Sequence, residues 1–273
     1  MDLSIVIVSY NAREDLERCL ASLHDPPPTT PHEIVVVDNA STDGSADAAR
    51  RWPSVRVIAE ASNRGFAAAN NTGIRATAGE NILLLNSDTI VPAGAIDGLV
   101  RVIHDHPDAA VVGPRLIDRD RRAELSFGPM MSLSNEWRQK RVMKGNERRD
   151  PAVMREVEHM TTREQWPDWV SGACLLVRRR AAESVGLLDE RYFMYTEDVD
   201  FCAAIRARGG RVLFTPSVEV MHLRGRSAAS APAATRAAYR RSHLAFYRKH
   251  YPALAPLMRL YHRVRAWQDR SNA

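Results

Sequence analysis

The stretch Leu83-Leu84-Leu85-Asn86-Ser87-Asp88 is an apolar run, of the kind buried in a parallel sheet, that stops abruptly at a carboxamide, a hydroxyl and a carboxylate. In open α/β sheets, ligands bind outside the carboxyl ends of the strands, so a polar cluster there marks a candidate site. The competing reading is a turn in which Asp88 caps the next segment. A second strand pattern, Glu33-Ile34-Val35-Val36-Val37, runs in the same way into Asp38-Asn39-Ala40-Ser41. One such ending is explained equally well by the turn preference of Asp, Asn and Ser. Two in the amino-terminal half favour a site.

Outward from these strands the pattern alternates. Residues 4–8 read as a first strand that meets a helix at Ser9-Tyr10-Asn11, where Asn11 and Glu14 have capping-box spacing ahead of Leu16, Leu20 and Leu23. Strand 33–37 precedes a helix from near Ser45 and a strand at 55–58. An Ala-rich helix at 66–76, strand 81–85, a helix at about 94–106 and strand 110–113 continue the series. The expected class is α/β, with a Rossmann-like, mostly parallel central sheet flanked by helices. Residues 118–168 carry many charges and few β-branched residues, and are expected to form a mobile loop. Strand character returns over 169–177. A helix is expected over 198–208, with Val199, Cys202 and Ile205 on one face and Gly209 as its stop.

With 273 residues, of which 45% are hydrophobic, the chain supports one main domain. Its net charge of +5 fits nucleic acid, a membrane surface or anionic small molecules without choosing among them. The excess is concentrated in 138–149 and 236–270. Cys19, Cys174 and Cys202 are odd in number, lack metal-type spacing and read as reduced core thiols. Residues 1–8 have no basic region ahead of the apolar run, and no segment reaches membrane-spanning length. A cytoplasmic protein is expected, soluble or peripheral on the inner face of the cell membrane.

Taken together, Ser9-Tyr10-Asn11, Asp38, Asn63-Arg64-Gly65, Asn86-Ser87-Asp88, Thr196-Glu197-Asp198 and His222-Leu223-Arg224-Gly225-Arg226-Ser227 resemble family 2 glycosyltransferases of GT-A fold. The order and spacing are closest to the bacterial rhamnosyltransferase-like branch. The resemblance implies a GT-A domain over 1–227 and leaves 118–168, read as a mobile loop or acceptor-side insertion, unmatched. Residues 228–273 themselves read as a basic, amphipathic helical extension that either lies on an anionic membrane or docks on the body with its basic face solvated. The resemblance also implies inverting transfer of a sugar, rhamnose or another hexose, from a dTDP- or UDP-sugar to a glycan or glycolipid hydroxyl in cell-surface polysaccharide synthesis.

The same resemblance implies the site roles. Asp198 is the catalytic base that takes the acceptor proton. Ser9, Tyr10, Asn11, Asp38, Arg64, Asn86 and Ser87 bind the donor nucleotide, with Asp38 accepting the N3–H of a pyrimidine. Asp88 and His222 hold Mg²⁺ or Mn²⁺, which offsets charge on the departing diphosphate. Asn86 replaces the first carboxylate of the family's usual acidic pair. Arg224 and Ser227 bind the diphosphate, and Gly172, Ala173 and Glu197 line the acceptor and sugar side. Asp200 is expected to be a helix-surface acid.

Partners implied are the nucleotide-sugar donor, a glycan or polyprenyl-diphosphate-linked acceptor and an anionic membrane surface under the basic tail. No nucleic-acid motif is present, and a dimer is left open. Two alternatives remain beside this reading. A sugar-phosphate nucleotidyltransferase would need an early Gly-rich loop, and residues 4–11 contain no glycine. A non-catalytic nucleotide-sugar-binding protein is conceivable because of Asn86.

Overall fold

The computed structural model describes residues 1–223 and 232–271. Its first half is a regular alternation: β1 (Leu3–Ser9), α1 (Arg13–His24), β2 (His32–Asp38), α2 (Ser45–Arg50), β3 (Val55–Ala59), α3 (Phe66–Arg75) and β4 (Asn81–Asn86). β5 (Thr89–Ile90), α4 (Ala95–Asp105), β6 (Ala109–Ile117) and β7 (Phe127–Gly128) come next. After them stand α5 (Leu133–Glu147), α6 (Pro151–Met160), β8 (Trp169–Val170), β9 (Cys174–Arg178), α7 (Arg179–Ser184), α8 (Glu197–Ala207) and β10 (Arg211–His222). Two helices, α9 (Pro232–His250) and α10 (Ala255–Ser271), complete the described chain.

Eight strands form one sheet in the order β3-β2-β1-β4-β9-β6-β10-β5. β1 pairs in parallel with β2 and β4, and β6 with β10, while β9 runs antiparallel between β4 and β6. The sheet is therefore mostly parallel, as expected. Its central strands are apolar on both faces because both are covered. Ile5, Ile7, Leu83 and Leu85 pack against α1 and α4 through Leu16, Leu20, Leu99 and Ile103. Val6, Leu84 and Leu175 face the other way, into a core shared by α3, α8, α9 and α10. Each such buried aliphatic contributes roughly 1.5–3 kcal/mol.

Three local expectations are corrected. Asn11 does not cap α1: the helix begins after Ala12, and Asn11 instead accepts from Thr42 N at 2.8 Å. Asp43, from the loop after β2, caps the amide of Arg13 at 2.9 Å. The apolar run at 169–177 is not one strand, because it bends at Ser171-Gly172 and feeds β8 into a separate two-stranded sheet with β7. Within 118–168, α5 and α6 stand where a loop was expected. The buried thiols of Cys19, Cys174 and Cys202 are all free.

Candidate active site

The polar end of β4 becomes a site through strand pairing. Asn86 N donates to Ala173 O at 2.9 Å, and the chain turns into β5, which pairs antiparallel with the end of β10. That register sets His222 opposite Thr89, and Leu223 N donates to Asp88 O at 2.8 Å. The His222 imidazole thereby reaches Asp88, with Nε2 to Oδ1 at 3.2 Å, while Asn86 Nδ2 lies 3.5 Å from the same nitrogen. Nδ1 faces the buried Glu124 at 3.4 Å. Burial pulls the His222 pKa down, but hydrogen bonds and charge from Asp88 and Glu124 outweigh it and hold the value up at about 9.

An imidazolium seated between two carboxylates marks a place that favours positive charge. A carboxylate oxygen beside an imidazole nitrogen is also a donor pair suited to Mn²⁺ or Mg²⁺. Asp88 and His222 thus fit a divalent cation. Among the described residues no three His, Cys, Asp or Glu side chains are arranged to hold a metal ion between them, so further ligands would come from substrate and water. Glu124 addresses the other ring nitrogen, the place of a carboxylate that orients a ligating histidine.

Ser9 and Asp38 are partners in register at the carboxyl ends of β1 and β2. Asp38 Oδ2 accepts from Ser41 N at 3.0 Å. Asp38 Oδ1 and Ser9 Oγ are buried with no hydrogen-bond partner. A buried acceptor without a donor is costly in isolation, which makes this pair a candidate for a ligand's donor. Tyr10 is exposed beside it, and Ser41 Oγ accepts from Asn11 N at 2.9 Å.

The loop holding Arg64 is ordered by Asn39. Its carboxamide accepts from Arg64 N at 2.9 Å and donates to Asn63 Oδ1 at 2.9 Å and Gly65 O at 3.2 Å. Gly65 has φ +86°, and an added Cβ would lie 2.4 Å from Phe193 O, so only glycine fits. The Arg64 guanidinium itself pairs with Glu60 at 3.5 Å and Glu190 at 3.3 Å.

Asp198 lies near the start of α8. Tyr195 and Thr196, just before it, hold φ of 70° and 67°, a left-handed pair without glycine that carries strain. Thr196 makes no side-chain cap to α8. Asp198 Oδ2 accepts from Gly172 N at 2.9 Å and Oδ1 from Val199 N at 2.8 Å. A Cβ on Gly172 would sit 3.3 Å from Asp198 Cβ, so glycine permits the approach. Burial raises the Asp198 pKa, and burial with the Asp198 charge raises that of Glu197 well above the carboxylate range. Glu197 is buried and its Oε2 lacks a partner. The turn at Gly172-Ala173 therefore touches both halves of the site, Asp198 through Gly172 N and Asn86 through Ala173 O.

The sequence profile described as "Glycosyl transferase family 2" matches residues 4–184, two thirds of the chain. The chain belongs to glycosyl transferase family 2. It is 34% identical to the N-acetylglucosaminyl-diphospho-decaprenol L-rhamnosyltransferase of Mycobacterium tuberculosis, over 88% of this chain and 82% of that one. It is 27% identical to the low-salt glycan biosynthesis hexosyltransferase Agl10 of Haloferax volcanii, over 81% of this chain and 67% of that one. In fold it resembles mannosyltransferase PcManGT from Pyrobaculum calidifontis, solved with GDP-Man and Mn²⁺. The TM-score is 0.61 at 20% identity, covering 94% and 68% of the two chains. GalNAc-T7, solved with UDP, GalNAc and Mn²⁺, gives 0.60 at 19%, covering 82% and 44%. The protein is a glycosyltransferase with the GT-A fold.

Around this family 2 framework the structure adds residues that the motifs leave out. Glu124 reaches His222 across 98 positions of sequence, so no local pattern announces it. Asn39 is legible as part of a polar strand end but not as the organiser of the Arg64 loop. Asp200 is corrected from surface acid to buried clasp: Tyr192 donates to it at 3.1 Å, Lys249 at 2.7 Å, and His250 Nε2 lies 2.6 Å away. Trp166 is stacked under Arg211 at 3.6 Å, and Trp169 is buried with Nε1 donating to Pro129 O. Arg224 and Ser227 lie outside the described residues.

Proposed function

We propose that this glycosyltransferase moves L-rhamnose, with inversion, from a dTDP- or UDP-sugar to a hydroxyl of N-acetylglucosamine on a polyprenyl diphosphate. The support is the rhamnosyltransferase relative, which aligns with most of both chains, together with the juxtaposition of Asp198 and the β4 end on the Gly172-Ala173 turn. The second observation carries the chemistry. It sets a half-buried carboxylate beside the cluster proposed to take the leaving group.

In this reading Asp38 Oδ1 accepts the N3–H of the uracil or thymine ring, with Ser9 Oγ alongside and Tyr10 at the ring edge. Uridine and thymidine share that N–H, so Asp38 does not separate them. Asn86 and Ser87 contact the ribose side, and Asn11 and Asn39 hold the surrounding loops. Asp88 and His222 are the residues that would hold the divalent cation, which when bound offsets negative charge on the diphosphate. Arg64, already shared between Glu60 and Glu190, serves the loop's shape in this state and reaches a phosphate only by exchanging those partners.

Asp198 takes the proton of the acceptor hydroxyl as its oxygen forms the bond to the anomeric carbon. The bond from that carbon to the diphosphate breaks on the opposite face, and the nucleoside diphosphate leaves. Burial raises the basicity of Asp198 toward the working pH, and the amides of Gly172 and Val199 fix its orientation. Glu197, whose pKa burial and the Asp198 charge raise, offers its unpartnered Oε2 to a sugar hydroxyl.

The experiment is a matrix of nucleotide sugars against a short-chain prenyl-diphospho-N-acetylglucosamine, read by release of nucleoside diphosphate and by product mass. Transfer of a deoxyhexose from dTDP- or UDP-rhamnose is expected. Transfer of a different sugar, or to a different acceptor, overturns the substrate assignment, and pyrophosphate release from a nucleoside triphosphate would restore the nucleotidyltransferase alternative.

A further inference from the structure

One surface of the carboxy-terminal helices is left uncovered by the body. α10 buries Met258 and His262 and turns Leu257, Leu260, Tyr261 and Val264 outward, with Leu260 60% and Leu257 50% exposed. These positions recur at three- and four-residue intervals, so they form one continuous outward stripe. Beside it, Arg248, Arg259 and Arg263 line a groove of about 290 Å³ together with Pro252, Pro256 and Leu260. All three arginines are exposed. None of them pairs with a carboxylate among the described residues, whereas Arg13, Arg18, Arg50, Arg51, Arg64 and Arg75 on the amino-terminal half all do. No acidic residue occurs in the sequence between Glu219 and Asp269.

We propose that this face of α10, with the Arg248 groove, docks the enzyme on an anionic lipid bilayer. Leu257, Leu260 and Val264 enter the headgroup–acyl boundary, and Arg248, Arg259 and Arg263 meet lipid phosphates. Both features are required of an interfacial helix: an apolar stripe and a cationic flank. The buried side of α10 fixes its orientation, so the stripe is presented without any helix having to fold first. A twofold contact between two copies through this face would bring six arginines together with no acid in the segment to offset them, which disfavours a dimer here. Nucleic acid would meet the arginines but leave the aliphatic stripe in water. The assignment stands apart from the identity of donor and acceptor, although a lipid-linked acceptor would place the substrate on the same surface.

The test is co-sedimentation of the full chain with vesicles of phosphatidylcholine alone and of phosphatidylcholine mixed with phosphatidylglycerol. Wild type is expected to partition at least about tenfold more strongly to the anionic vesicles, and Arg259→Gln/Arg263→Gln to lose about tenfold of that. Leu257→Ser/Leu260→Ser/Val264→Ser is expected to lose binding to the same vesicles while its circular dichroism and its turnover with a water-soluble acceptor stay at wild-type levels. Unchanged partitioning in both variants overturns the proposal, as does equal affinity for the two vesicle types. A dimer in light scattering that the triple serine variant dissolves, or a shift on single-stranded DNA that the glutamine variant removes, with no vesicle binding in either case, would assign the face to that partner instead. Failure here with intact sugar transfer leaves the catalytic reading standing, and the reverse result separates them equally well.

Discussion

We propose Asp198 as the general base because burial raises its pKa, two amides orient it, and the turn that holds it also contacts the β4 end. Asp198→Asn keeps the shape and removes the basicity, so turnover should fall by about 10²–10⁴-fold. Glu124 acts one step away, through His222. Glu124→Gln should weaken Mn²⁺ affinity by about 10–100-fold, measured by the electron paramagnetic resonance of free Mn²⁺, with the fold intact. An unchanged affinity would reduce Glu124 to a packing residue. Asp38, Asn86, Asp88, Asp198 and His222 are legible in sequence because each ends a strand or opens a helix, a local pattern. Glu124 is not, because its contact with His222 is set by tertiary register alone.

At the scale of elements, the Gly172-Ala173 turn is the joint of the site. Gly172→Ala should push Asp198 by a few tenths of an ångström, lowering turnover while leaving donor affinity within about twofold, since the displacement falls on the base and not on the nucleotide end. Calorimetric titration of donor beside steady-state rates separates the two. The clasp between α8 and α9 is the second joint. Asp200→Ala strands the Tyr192 hydroxyl and leaves Lys249 to Asp189 alone, and should cost about 1–3 kcal/mol in urea unfolding. The helices α5 and α6 escape a reading of the sequence for a physical reason. In α5 only Glu136 and Val142 are buried, so it shows no apolar face of helical period. Its buried residue Glu136 is an acid, which a sequence reading places in solvent, and the bend at Ser171-Gly172 is hidden inside a continuous apolar run.

Across the whole molecule, the carboxy-terminal helices join the body through a buried polar seam. Glu136 of α5 accepts from Tyr247 at 2.6 Å and Lys140 at 2.8 Å and meets His243 Nε2 at 2.7 Å, and His262 of α10 lies 2.9 Å from His243 Nδ1. Burial, helped by the charges of His243, Lys140 and Arg240 and opposed by Glu136, lowers the His262 pKa from 6.5 to about 4. The unfolded chain therefore binds a proton at His262 that the folded chain refuses, so stability falls as pH drops from 6.5 toward 4. Burial raises the Glu136 pKa, but its partners outweigh that and hold it down at about 2, so its contribution is lost as pH falls from 4.5 toward 2 and leaves the span from 6.5 to 4.5 to His262. Glu197, with its raised pKa, slopes the opposite way, so the comparison is between proteins. His262→Gln should flatten the acid limb of unfolding free energy against pH by on the order of 2 kcal/mol, and an identical profile would remove His262 as its source. Among the described residues no helix is long and apolar enough to cross a membrane, and the contact proposed for α10 is an interfacial one. The β4 end, His222 and Asp198 are proposed to form one donor site with a single base. The measurement that tests this most directly is nucleoside diphosphate release from dTDP-rhamnose with lipid-linked acceptor, for wild type and Asp198→Asn, beside donor binding to each. Donor affinity within about threefold of wild type and turnover at about one hundredth or less are predicted. Asp198→Asn turning over at the wild-type rate would contradict the account.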